Sequence, residues 1–127
     1  MKIFIYFSFF VSIAFSQITG NNFLEEFPFD KKWEGLSGQE AIYEQFYKGF
    51  VTGYLTANDY TARMLEAFIP EGSKIAVDTF SLVNFTRGMN DNQIINIVKK
   101  YCDNNPHKMD EPFATLLWDA ITAIPKE

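Results

Sequence analysis

Apolar residues recur every three or four positions along much of this chain, and this spacing limits the fold more than any other feature. Four large apolar residues follow at four-residue intervals: Ile42, Phe46, Phe50 and Tyr54. A second stripe lies near the C-terminus: Phe113, Leu116, Leu117, Ala120, Ile121 and Ile124. Such spacing is typical of helices that bury one face. The sequence predicts an all-α fold, a single compact domain of four to five helices in residues 37–127.

Capping residues predict where the helices begin. Ser37 precedes Glu40 at the spacing of a capping box, and Asn90 stands in the same relation to Gln93. Ile94, Ile97, Val98 and Tyr101 define one face of the helix after Asn90. Pro112 is expected at the first position of the last helix.

Two stretches are ambiguous. The pair at 58–59 either interrupts the first long helix or lies on its polar side. Residues 73–85 mix β-branched residues with a helical spacing, and we favour helix because the segments around them are helical.

Small residues also recur every four positions, at Gly49, Gly53 and Ala57. Glycine costs about 1 kcal/mol in a helix interior. We therefore expect another backbone to approach closely here, either within the chain or across a dimer seam.

The N-terminus predicts export. Residues 1–16 carry Lys2, a short apolar run and a small-x-small pattern at Ala14 and Ser16, which predicts signal cleavage before Gln17. The apolar run is shorter than the roughly 20 residues of a membrane-spanning helix. Residues 17–36 are predicted to form an extended N-terminal arm whose aromatic side chains dock on the helices. These are Phe23, Phe27, Phe29 and Trp33.

Charge and composition point away from several functions. The net charge is −5, and loss of Lys2 makes it −6, whereas nucleic-acid binding needs a basic surface. One Cys and one His, Cys102 and His107, are too few for a common zinc site. We expect no cofactor, no metal, no membrane contact after cleavage and no enzymatic activity. Cys102 is either buried or pairs between chains, with burial favoured.

A polar segment between two predicted helices is the expected partner-binding site, because exposed loops often carry recognition. Its candidate residues are Asp103, Asn104, Asn105, His107, Lys108 and Asp110. Glu71 and Ser73 form a second candidate loop. The alternative for both is an ordinary solvated connection.

Three segments resemble one family in order and spacing. Residues 36–39 and 53–59 are similar to "TGNxL … GYxxGxxD", residues 88–101 to "PxGVTxxQLxxxVxKYL", and residues 105–125 to "xxPxxRxxPAxxLVxxALxxAFPC". The pattern is that of Rap/Tai-type periplasmic immunity proteins, which neutralise type VI secretion amidase effectors. The family's usual cysteines are replaced near Tyr43, at Asn84 and at Lys126, so the chain resembles a distant member.

This resemblance implies a function and a location. It implies an all-helical periplasmic protein, often a homodimer, that binds a peptidoglycan amidase toxin and occludes its active site. The alternative is a small acid-stress chaperone of the HdeA type, or another non-catalytic periplasmic binding protein. HdeA-type chaperones keep a disulfide that this chain, with one cysteine, cannot form.

Overall fold

The computed structural model describes residues 18–68 and 81–125. Across these residues the chain forms five α-helices and no β-strand, which confirms the all-α prediction. The helices are α1 (Gly20–Glu26), α2 (Gly38–Phe68), α3 (Val83–Thr86), α4 (Asp91–Asn104) and α5 (Phe113–Thr122), with 3-10 turns at Trp33–Gly35 and Pro106–Lys108. The predicted signal peptide and the candidates Glu71 and Ser73 lie outside the described residues.

The predicted caps of α2 and α4 are confirmed. Ser37 Oγ accepts a hydrogen bond from the Glu40 amide at 3.3 Å, and Glu40 Oε2 accepts from the Ser37 amide at 2.9 Å. The Asn90–Gln93 pair forms the same reciprocal box, at 3.0 and 2.8 Å. Pro112 does not begin α5 as predicted. Its ψ of 137° is extended, so it is the N-cap, and Phe113 is the first helical residue.

Helix α2 runs without a break through residues 58–59. Asn58 Oδ1 accepts a hydrogen bond from the Leu82 amide at 2.8 Å, which ties α2 to the start of α3. Asp59 pairs with Arg63 one turn later at 2.7 Å. The structure describes residues 81–85 of the stretch 73–85 for which helix is favoured, and there the short helix α3 (Val83–Thr86) begins. Among residues 18–68 and 81–125, no helix is long and apolar enough to cross a membrane.

The prediction of an extended arm over residues 17–36 is wrong for α1. Thr19 caps this helix: its Oγ1 accepts from the Asn22 amide at 3.4 Å, and Asn22 Oδ1 accepts from the Thr19 amide at 3.0 Å. The predicted docking of aromatic side chains is confirmed for three residues. Phe23 is fully buried, and Phe27 and Phe29 pack against the core. Trp33 instead stays 59% exposed.

The core lies where α1, α2, α4 and α5 meet. The ring of Phe113 sits 4.7 Å from that of Phe23 and 5.3 Å from that of Tyr47, measured between centroids. The α5 stripe is buried as predicted, with Ile124 half-buried, and Cys102 is buried and unpaired. The α4 face is rotated from the prediction, because Ile97 and Tyr101 are only half-buried. The buried face of α4 consists of Ile94, Ile95, Val98 and Cys102.

The start of the described chain is fastened to the segment that leads into α5. The Phe113 amide donates to the Ile18 carbonyl at 2.7 Å, and the Asn21 amide donates to the Met109 carbonyl at 3.0 Å. Gly20 is buried against Leu116 and Met109 at this junction. These contacts hold the connection between α4 and α5 against α1, which places the predicted partner-binding segment.

Candidate protein-binding surfaces

Cys102 is not placed to act as a nucleophile. It is 1% exposed within the core, and burial raises the pKa of its thiol to about 11. At neutral pH the thiol therefore stays protonated and out of contact with solvent. His107, the one histidine of the sequence, lies exposed on the turn Pro106–Lys108. In the described part of the chain, no group of three or more His, Cys, Asp and Glu residues is arranged to hold a metal ion.

The segment 103–110, called here the 103–110 turn, is an ordered connection rather than an open loop. Asp103 and Asn104 are the last residues of α4, and Pro106–Lys108 forms a 3-10 turn. Met109 is buried with 6% exposure, so the turn is anchored in the core by one side chain. Its backbone is closed by hydrogen bonds from the Asn105 amide to the Cys102 carbonyl, and from the Lys108 amide to the Asn105 carbonyl.

The best-fixed side chain of the 103–110 turn is Lys108. Its Nζ donates to Asp119 Oδ2 at 2.8 Å and to Tyr101 Oη at 3.0 Å. The hydrogen bond to Asp119, followed by the one to Tyr101, raises the pKa of the Lys108 ammonium. The side chain of Lys108 therefore joins α4, the turn and α5, and its charge is already matched within the molecule.

Three more of the predicted partner-binding side chains are also engaged. Asp103 accepts from Lys99 at 2.7 Å, and Asp110 Oδ1 accepts from Asn21 Nδ2 at 2.9 Å. Asn105 Nδ2 donates to the Tyr101 carbonyl at 2.8 Å. These bonds give the side chains a role in shaping the turn, which the sequence alone did not indicate.

Two of the predicted residues point outward. Asn104 and His107 are exposed, and within residues 18–68 and 81–125 their side chains make no hydrogen bond or ion pair. The structure thus divides the predicted set. Asp103, Asn105, Lys108 and Asp110 hold the turn in shape, and Asn104 and His107 are left available to a partner.

A second exposed surface lies on α2, at the small residues where the sequence predicts that another backbone approaches closely. Gly49 and Gly53 are exposed, and a Cβ added at either would meet no described residue within 4 Å. Within residues 18–68 and 81–125, no other backbone packs closely against these two glycines. Ile42 and Phe46 share this face, and they are 69% and 41% exposed. Helix α2 buries the neighbouring face instead, through Tyr47, Val51 and Ala62.

The exposed face of α2 continues toward its C-terminal end. Tyr60 is 65% exposed and Met64 41% exposed. The name α2 stripe is used below for the residues of this face: Ile42, Phe46, Gly49, Gly53, Ala57, Tyr60 and Met64.

Comparison of the chain with protein-family models, with curated proteins and with solved structures finds no match.

Proposed function

We propose that this protein is an exported, non-catalytic immunity protein that uses the 103–110 turn to bind a peptidoglycan amidase toxin delivered by type VI secretion. The observation that carries the proposal is that some polar side chains of the turn are held by hydrogen bonds while two others are free. Four of its polar side chains are held by hydrogen bonds to residues outside the turn, whereas Asn104 and His107 are exposed and make none within the described residues. An ordered turn that exposes two free polar side chains suits contact with the cleft of an enzyme.

Pre-ordering supports this use of the turn. Fixing a flexible side chain at an interface costs about 0.5–1.5 kcal/mol, and a surface already ordered before binding avoids much of that cost. Lys108 and Asp103 are held by ion pairs before any partner arrives. The turn therefore offers a toxin an ordered framework, and binding has only the side chains of Asn104 and His107 to immobilise.

Sequence features supply the identity of the proposed partner. The predicted signal peptide at residues 1–16 sends the chain out of the cytoplasm. Peptidoglycan, the substrate of an amidase toxin, lies in the same compartment of a Gram-negative cell, so an antidote must be exported to act. The resemblance to Rap/Tai-type immunity proteins names the amidase class.

The net negative charge favours a partner with a basic surface. The chain carries −5 overall, and complementary charge raises the rate at which two proteins meet. The proposal therefore includes a toxin whose binding surface is basic, and association that slows as salt concentration rises.

Co-purification with an amidase encoded beside the gene tests the proposal, together with the loss of self-protection when the gene is deleted. Within the complex, we expect the double variant Asn104→Ala, His107→Ala to weaken binding by roughly thirty-fold, as truncation of interface hot spots does. Lys100→Ala is the matched control, because Lys100 is exposed on α4 outside the turn. Equal affinity of both variants would exclude the turn as the binding surface.

The acid-stress chaperone stays a prediction, and the described structure holds no observation that favours it over the immunity role. It is tested separately from toxin binding. Suppression of client aggregation at low pH would favour the chaperone, and an inert protein in that assay would remove it.

A further inference from the structure

A cleft of about 700 Å³ opens between the connection from α1 to α2, the N-terminal half of α2 and the start of α4. It is called the Trp33 cleft below, and its lining comes from residues within 27–34, from Glu44 and Lys48 on α2, and from Asn92 and its neighbours on α4. Clefts of about 300–1,000 Å³ are the size at which proteins bind small molecules. The lining shares no residue with the 103–110 turn or with the α2 stripe.

Trp33 is the most exposed aromatic side chain of the cleft. It keeps 59% of its surface accessible, although its backbone is held in place. The Gly35 amide donates to the Lys32 carbonyl at 2.8 Å, and the Leu36 amide donates to the Trp33 carbonyl at 3.2 Å. An indole on a fixed backbone offers a ligand a flat apolar face and an N–H donor at the ring edge.

Two carboxamide side chains line the cleft from α4. Asn92 and Asn96 are exposed and lie four residues apart, so they share one face of the helix. Within residues 18–68 and 81–125 neither side chain makes a hydrogen bond. Each carboxamide can both donate and accept. The pair therefore suits a ligand whose groups also do both, as hydroxyl groups do.

An acceptor without a donor belongs to the α2 side of the cleft. Glu44 Oε1 accepts from Lys48 Nζ at 2.5 Å, whereas Glu44 Oε2 is buried and has no hydrogen-bond partner among the described residues. A buried acceptor that lacks a hydrogen bond is costly, and more so when it carries charge. A donor that enters the cleft removes this cost once the side chains around Oε2 shift to admit it.

The charges around the cleft balance one another. Lys31 pairs with Glu40 at 2.6 Å, and Lys48 pairs with Glu44. The third lysine of the lining directly precedes Trp33 in the sequence, and a glutamate directly follows it. Neither a cation nor an anion is attracted by a site whose charges cancel. The ligand that fits is neutral and polar.

We propose that the Trp33 cleft binds an uncharged saccharide. A sugar ring packs its C–H groups on the indole of Trp33, and its hydroxyl groups donate to and accept from Asn92 and Asn96 and donate to Glu44. The inference does not depend on the proposed function, because it concerns a different surface and a different ligand. A neutral peptide is the alternative. Extended peptides often bind along the edge of a sheet, and the described residues contain no β-strand.

An NMR titration of the isotope-labelled protein tests the proposal, with chitotriose and maltotriose as neutral trisaccharide probes up to about 10 mM. The chain has two tryptophans, so one indole N–H signal reports on the cleft and the other, from Trp118, reports outside it. We expect at least one of the sugars to shift the signals of Trp33, Asn92 and Asn96 saturably and to leave that of Trp118 in place. Acetyl-trialanine amide, a neutral peptide, should shift none of them.

Matched substitutions show whether the cleft is the site. Trp33→Ala should weaken sugar binding by roughly tenfold, because loss of an aromatic anchor is costly at a binding site. Tyr60→Ala is its control, since Tyr60 is an aromatic residue of similar exposure on the α2 stripe. Asn96→Ala should weaken binding too. Asn104→Ala, at an exposed position of the same helix outside the cleft, should not.

Three results would overturn the proposal. The first is the absence of any shift with either trisaccharide. The second is sugar binding that Trp33→Ala and Asn96→Ala leave unchanged, and the third is binding of the peptide without binding of a sugar. Each of these leaves toxin binding by the 103–110 turn untouched, because the substitutions in the cleft lie outside that turn.

Discussion

Two glycines stand at the same position of their helices, but we expect replacement by alanine to change the free energy of unfolding in opposite directions at the two sites. Gly20 is the first residue of α1 and Gly38 the first of α2, each preceded by a hydroxyl residue that caps the helix. A Cβ on Gly20 would lie 2.5 Å from Leu116 Cδ1, 3.1 Å from Met109 Sδ and 3.2 Å from the Met109 carbonyl oxygen. A Cβ on Gly38 would meet nothing within 4 Å in the part of the chain that the structure describes.

The stability cost of the added methyl group at Gly20 depends on whether the side chains around it can move. Leu116 is fully buried and Met109 is 6% exposed, so neither side chain can swing into solvent to make room. Overpacking of this kind costs about 1–3 kcal/mol, and replacing glycine by alanine recovers about 0.4–1 kcal/mol through the unfolded chain. We expect Gly20→Ala to lower the free energy of unfolding by about 1–2 kcal/mol. Gly38→Ala has only the effect on the unfolded chain, because it causes no overpacking, and should raise the free energy of unfolding by about 0.4–1 kcal/mol.

Urea denaturation followed by circular dichroism measures both variants. The midpoint should fall for Gly20→Ala and rise for Gly38→Ala, and the slope of unfolding free energy against urea should stay the same in both. Equal shifts in the same direction would refute the reasoning, because the two sites differ only in what surrounds the added methyl group. A stabilised Gly20→Ala would mean that the junction of α1 with Leu116 is looser than described.

Three other substitutions or reactions probe separate parts of the fold. Phe113→Ala should lower the free energy of unfolding by about 3–5 kcal/mol, since its buried ring is removed from the centre of the core; thermal unfolding measures the loss. Glu40, hydrogen-bonded first to Lys31, has its pKa lowered from 4.5 to about 2. A lowered pKa means that the stabilisation is present above pH 4.5 and is lost as pH falls toward 2. An NMR titration should therefore place the midpoint near 2, and Lys31→Ala should raise it. The Cys102 thiol, with its pKa raised to about 11 by burial, should react with a thiol reagent only after denaturation; rapid labelling of the folded protein would contradict its burial.

Helix starts could be predicted from the sequence because the interactions that set them are local. The Ser37–Glu40 and Asn90–Gln93 pairs lie three residues apart, so each box can be recognised without knowledge of the rest of the fold. The start of α1 at Thr19 uses the same geometry with Asn22 as the returning side chain. Asn22 there occupies the position that Glu or Gln fills in the usual capping box, so the sequence signal is weaker than at Ser37 and Asn90.

The buried face of α2 could not be predicted in the same way. Helical spacing indicates which residues share a face, but it does not indicate which face another element will cover. Helix α2 carries apolar residues around much of its circumference, so Tyr47 and Val51 become buried while Ile42 and Phe46 of an adjacent face stay exposed. That outcome depends on where α1, α4 and α5 pack, which is a property of the tertiary structure.

The 103–110 turn shows the same limit at the candidate site. Its place between two helices could be inferred from Pro106 and the polar residues around it. The partners of its side chains could not be inferred, because Lys108 pairs with Asp119 on the next helix and Asp110 with Asn21, 89 residues earlier in the sequence. Only the folded molecule separates the residues that hold the turn from those it presents.

Titration of a purified amidase toxin with this protein tests the central proposal most directly. The toxin is the one encoded beside the gene, and the quantity measured is its rate of peptidoglycan hydrolysis. We expect hydrolysis to stop as the two proteins reach a stoichiometric ratio, and we expect the Asn104→Ala, His107→Ala variant to require a large excess for the same effect. Undiminished hydrolysis in the presence of excess unmodified protein would contradict the immunity function.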